Sequence, residues 1–131
     1  MSNLRDTWVV LGPQLLARQV GVTPGVFEQL DREFEGFHGH LLVSMYAFDS
    51  DWSTWEAHPH GDEVVVLLSG VVDMVLDRGG RHETIRLAQA GDYVLVPKGT
   101  WHTARVAAAA SMIFITAGEG TQHDPRGKES E

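Results

Sequence analysis

Two histidines and a glutamate fall within one short stretch, His58-Pro59-His60-Gly61-Asp62-Glu63, immediately ahead of an apolar run from Val64 to Leu68. Imidazole nitrogen and carboxylate oxygen are the donors a protein offers a divalent transition metal, and three or four of them on neighbouring backbone make a site. A further donor, His102, lies well downstream. There is no cysteine, which excludes both thiolate ligation and a disulfide framework.

Side chains two apart in extended backbone point the same way, so the spacing predicts that His58 and His60 present both rings to one face. Pro59 holds His58 out of the helical region. Glu63 is an odd step from His60, but the Gly61-Asp62 pair permits a bend that re-aims the strand beyond it. Glu63, Val65 and Leu67 then share the inward face, with Val64, Val66 and Leu68 outward. The other histidines read as bland: His38 and His40 in a loop, His82 on a hairpin, His123 in a tail.

The elements that must hold these donors are mostly strands. Thr7 to Val10 reads as a first edge strand. Thr23-Pro24 starts a helix in which Phe27, Leu30 and Phe34 share one face, ending near Gly36. His40 to Phe48 is apolar enough for a strand buried on both faces. Extended stretches come next at Trp52 to His58, Glu63 to Ser69, Val71 to Asp77, His82 to Leu87, Tyr93 to Val96, Trp101 to Val106 and Ser111 to Thr116, with a hairpin signal at Gly79-Gly80. Short strands at regular intervals with glycine and proline turns describe an antiparallel sandwich or barrel. The reading is one domain: a strand and helix over residues 1–39, a barrel over 40–117 and a polar tail over 118–131.

With 131 residues, the chain is long enough for its own core. A formal net charge of −8 with ten basic residues argues against phosphate neutralisation, so no nucleic acid is expected as a partner. No apolar run is long enough to span a bilayer, so no membrane is expected either. The opening MSNLRDTW lacks a basic patch followed by an apolar segment, which leaves a reducing cytoplasm as the expected compartment.

One resemblance rests on particular residues. Glu63 and Gly70, six residues between them, and then Gly91, Pro97, Gly99 and His102 at their intervals, resemble the first and second motifs of the cupin superfamily. The resemblance covers roughly residues 40 to 117. It implies an all-β fold, an antiparallel conserved β-barrel (double-stranded β-helix or jelly roll) with a short N-terminal helix, carrying a metal near its open end. Two departures stand out. His60 and Glu63 leave two residues between them where cupins leave three or four, and Val106 stands where asparagine is common. Counting His58 as the second histidine restores the interval but puts Glu56 in the first histidine's place. The metal ligands implied are therefore His58, His60, Glu63 and His102, with Glu56 replacing His60 as the alternative, or a barrel without metal.

Three imidazoles and a carboxylate suit iron, nickel, manganese or zinc. Four protein ligands on an octahedral metal leave two positions, the arrangement that cupin dioxygenases use, so the resemblance implies an oxygenase-type enzyme on a small polar molecule. A non-oxidative isomerase or lyase, or a non-catalytic small-molecule-binding barrel, stays open beside it. Tyr46, Tyr93, Thr103 and Arg105 are candidates for the cavity wall, and Trp52, Trp55 and Trp101 for its rim. The resemblance also implies a homodimer, with Trp8 and its neighbours as a candidate interface.

Overall fold

The computed structural model describes residues 2–125; Met1 and the residues from Arg126 onward, including the end of the tail expected to be mobile, lie outside the described residues. Two antiparallel sheets form the body. The first runs in the order β2-β1-β3-β10-β5-β8, built from β1 (Thr7–Leu11), β2 (Ala17–Gly21), β3 (Leu41–Phe48), β5 (Glu63–Ser69), β8 (Tyr93–Val96) and β10 (Ala110–Thr116). The second runs β11-β4-β9-β6-β7, from β4 (Trp55–Ala57), β6 (Val72–Arg78), β7 (Arg81–Leu87), β9 (His102–Arg105) and β11 (Gln122–Asp124). This is the antiparallel β-barrel expected from the strand spacing. No described helix is long and apolar enough to cross a membrane.

The period-two pattern in β5 decides which way Glu63 and the residues after it face. Glu63, Val65 and Leu67 are buried and alternate with partly or fully exposed neighbours. Val65, Leu67, Met74, Leu76 and Met112 are completely sequestered between the sheets. Each contributes about 1.5–3 kcal/mol of hydrophobic stabilisation. Gly70 closes the strand at φ +83, and a side chain there would collide with the Ala109 carbonyl, which accounts for glycine in the first motif.

Several elements differ from the expectation. β1 is not an edge strand, because Ala17–Gly21 pairs along its outer side. β3 is not sealed on both faces: its alternate residues Ser44, Tyr46 and Phe48 line a cavity. The helix α1 spans Val26–Glu33, so its buried face is Val26 and Leu30, continued by Phe34, while Phe27 is 60% exposed. Trp8, expected at a dimer surface, is buried beneath this helix, its ring 5.5 Å from Phe27 and 5.3 Å from Tyr46. The polar stretch read as tail supplies β11, which pairs with β4.

Candidate metal centre

Two loops meet at the end of the barrel. The first carries His58 out of β4, and the second joins β8 to β9 ahead of His102. They are tied together by the Gly99 amide donating to the His58 carbonyl at 2.9 Å and the Lys98 amide donating to Asp62 Oδ1 at 2.7 Å. Gly61 lets the first loop press against β10's end, since a Cβ there would lie 2.6 Å from Ala117 Cβ.

The result is a buried triad of His58, Glu63 and His102, one donor atom from each lying within 4.8 Å of the others. His58 Nε2 stands 3.2 Å from Glu63 Oε2, and His102 Nε2 stands 3.1 Å from Glu63 Oε1. The protons on the rings follow from the other side. His102 Nδ1 lies 3.0 Å from the Thr100 carbonyl, which can only accept, so Nδ1 carries the hydrogen. His58 Nδ1 lies 2.9 Å from Thr121 Oγ1, whose own hydrogen goes to the Gly118 carbonyl at 2.9 Å, so His58 Nδ1 also donates. In the neutral rings, both Nε2 lone pairs therefore face the carboxylate. Glu63 Oε2 accepts from the Thr116 hydroxyl at 2.6 Å, whereas Glu63 Oε1 and His102 Nε2 make no aligned hydrogen bond at all.

Three acceptor atoms converging out of water repel one another unless a cation stands between them. Protons can supply it. Burial alone would push the Glu63 carboxyl up, but the His102 and His58 rings outweigh it and hold the group at about 2. Burial likewise pulls His102 down, and Glu63 more than reverses it, leaving the imidazole above its ordinary 6.5. A divalent metal supplies the same charge with better directionality. The donor set fits one: two imidazole nitrogens with their far sides fixed by outer hydrogen bonds, and a carboxylate.

His60, expected among the ligands, is exposed and lies outside the triad. β4 ends at Ala57 and the chain turns through Pro59 and His60, so the two-residue alternation that would aim both rings together is broken. Glu56, the alternative, sits directly across from His102 in the pairing of β4 with β9 and lines the cavity beside His58 and Glu63. Its Oε1 is 3.3 Å from His123 Nε2 on β11. His123 and Thr121, read from sequence as tail, thus reach the site; an isolated polar stretch carries no periodicity that would have revealed this.

A cavity of about 970 Å³ opens from the triad toward α1. Tyr46 lines it, and its phenol is pushed up to about 12 by burial first and by the Glu56 charge second. The other expected wall residues do not line it. Tyr93 is 61% exposed on the outer face of β8, Arg105 is exposed and pairs across from Asp73, and Thr103 is buried with its hydroxyl donating to the Thr54 carbonyl. Trp52 is on the wall and flanks His102 at 6.1 Å between ring centroids, while Trp55 is core.

Comparison with known proteins gives the lineage. The family model described as Cupin domain matches residues 49–118, more than half of the chain. No curated protein matches. Among solved structures, an oxalate oxidase superposes with a TM-score of 0.53 at 16% identity, over 62% of this chain and 44% of the other. A protein from Neisseria meningitidis gives 0.50 at 20% identity, covering 58% and 72%. Peruvianin-I, a cysteine peptidase from Thevetia peruviana latex, gives 0.52 at 16%, covering 63% and 54%. The chain spans under half the length of the oxalate oxidase, and at these identities the likeness is one of fold. With the matched family model, the two antiparallel sheets and the clustered donors agreeing, this chain belongs to the cupin domain family.

Proposed function

We propose that this protein binds one divalent transition metal through His58, Glu63 and His102, with Glu56 completing the set, and acts as a metal-dependent enzyme of oxygenase type on a small molecule held in the adjoining cavity. The observation that carries the reading is the convergence of two Nε2 lone pairs on a buried carboxylate, each ring's tautomer fixed from behind. Iron, nickel, manganese and zinc all suit such donors. When bound, the metal supplies Lewis acidity and, for iron or manganese, redox capacity.

The chain's own residues do the rest. Thr100 and Thr121 hold the rings in register, Thr116 orients the carboxylate, and Trp52 with Phe114 keeps water from the inner end of the cavity. Elemental analysis after expression in metal-replete medium tests the proposal. About one metal per chain is expected, and none removes the enzyme reading. Oxygen uptake by iron-loaded protein against small diols, thiols and keto acids then separates an oxygenase from a non-oxidative isomerase or lyase and from a binding barrel.

A homodimer belongs to the same reading. Leu68, Tyr93 and Leu95 are exposed on the outer face of β5 and β8, an apolar strip of the kind that a second copy covers. Light scattering of the wild type and of Leu95→Lys tests it, a monomer in both cases counting against it.

A further inference from the structure

The cavity beside the triad is lined by Glu28, Asp31, Asp49, Asp51, Glu56 and Glu63, and among the described residues by no lysine or arginine. Asp51 is engaged with the Val106 amide and Glu56 with His123, which leaves Glu28, Asp31 and Asp49 on a wall without a cationic side chain of its own to offset them. At the floor, Glu63 is 3% exposed and its Oε1 makes no hydrogen bond. The same cavity is lined by four aromatic rings in mutual contact, Tyr46, Phe48, Trp52 and Phe114. Tyr46 stacks on Phe48 at 5.8 Å, Phe48 meets Trp52 at 5.6 Å, and Trp52 and Tyr46 both close on Phe114, at 5.9 and 5.7 Å.

These features select one sign of charge. A concave surface with low-dielectric walls and carboxylates of one sign concentrates field lines, raising the local concentration of cations and repelling anions. Ring faces add a second attraction, which an ammonium gains and a carboxylate does not. An alkali ion would satisfy the carboxylates but leave the aromatic wall without purpose, whereas an ammonium on an organic body satisfies both. From the cavity's charge and lining we infer that its ligand is a small organic ammonium compound, an amine protonated at neutral pH, bound with its cation between the carboxylates and the Tyr46-Phe48-Trp52 wall. The oxalate oxidase fold relative, described in complex with glycolate, binds an anion; this lining disfavours one. The inference builds on the proposed metal reading for which end of the cavity holds the reacting group.

Three probes that share a ring and differ in charge test it: benzylamine, benzyl alcohol and benzoate, titrated calorimetrically into chelator-stripped and into metal-loaded protein. In the stripped protein, benzylamine should bind about tenfold tighter than benzyl alcohol, with benzoate weakest. Asp49→Asn and Asp31→Asn, both exposed positions away from the triad, should each weaken benzylamine by about threefold and leave benzyl alcohol unchanged. Benzoate binding as tightly as benzylamine in stripped protein overturns the inference, as does the absence of saturable benzylamine binding in either form. The metal reading fails separately, on metal content. Protein that takes up no metal yet discriminates the amine keeps the inference and loses the metal, and metal-loaded protein that prefers benzoate when stripped does the reverse.

Discussion

His102 Nε2 and Glu63 Oε1 stand 3.1 Å apart, both shut away from water and neither in a hydrogen bond. Such a pair is held by a shared cation, and removing one member leaves the other buried without compensation. Glu63→Ala should abolish metal uptake and also lower the stability of the metal-free protein by about 3–5 kcal/mol, the cost of breaking a buried ion pair. Urea denaturation in chelator measures the second effect; an unchanged midpoint would mean that the triad carries no charge interaction.

The two candidate ligand sets separate by substitution. His60→Ala, at an exposed turn residue, should leave metal affinity unaltered, whereas Glu56→Gln should weaken it and His102→Ala should remove it. Metal-competition titration against a chromophoric chelator reads all three. A loss at His60 equal to that at His102 would restore the set expected from sequence.

Thr121 would act through His58, whose ring it holds, and not on the metal directly. Thr121→Val deletes the acceptor that fixes the Nδ1 hydrogen and should cost about 10–100-fold in metal affinity, with Thr121→Ser retaining it. Equal affinity for both variants would assign Thr121 a purely local role in its turn with Gly118.

Stability of the metal-free protein should depend on pH in a definite direction. Glu63 is depressed from 4.5 to about 2, so its contribution is full above 4.5 and is lost as pH falls through 2. His102 is raised above 6.5, so its contribution is full below 6.5 and is lost as pH climbs through its elevated value. The thermal midpoint in chelator should therefore be highest between 4.5 and 6.5. Metal binding runs the other way on the alkaline side: the ring must release its second proton, and affinity should rise by about tenfold per pH unit for each proton displaced. A flat profile for either measurement contradicts the protonation scheme.

Tyr46 offers a spectroscopic check of the cavity's potential. There are two tyrosines, so Tyr93→Phe leaves Tyr46 as the only phenol. Its phenolate absorbance should appear near pH 12, shifted up by burial and then by Glu56 from the ordinary 10.0, and Glu56→Gln should bring it partway back. Because the neutral phenol is favoured in the folded state, its contribution is intact below 10 and fades as pH rises through about 12.

Much of this was legible from residue order where one physical rule acted alone. The alternation of Glu63, Val65 and Leu67 against Val64, Val66 and Leu68 told inside from outside in β5, because a strand buried on one face has a strict period of two. His102 and Glu63 came from motif spacing. His60 stands apart from the triad because the period of two does not carry across Pro59, where the chain turns. Of the expected helix face, Leu30 and Phe34 are buried as read, but Val26 takes the inward place in the first turn and Phe27 is 60% exposed. β11 left no trace, since its Gln122, His123 and Asp124 bury little and owe their extended shape to pairing with β4. Tyr93 and Arg105 sit on strands as expected, but which side of a short strand faces a cavity depends on neighbours far along the chain.

The clasp that Thr121 and β11 form over the site, with Thr121 on His58 and His123 on Glu56, would bear on when the proposed metal could be acquired. The groups that shape the centre span from Glu56 to His123, so a chain emerging residue by residue during synthesis presents loose donors before it presents a cage. If a metal binds there, selection among competing ions would be deferred until the barrel has closed, and the shape of the finished protein, not the order in which its donors appear, would govern which ion stays.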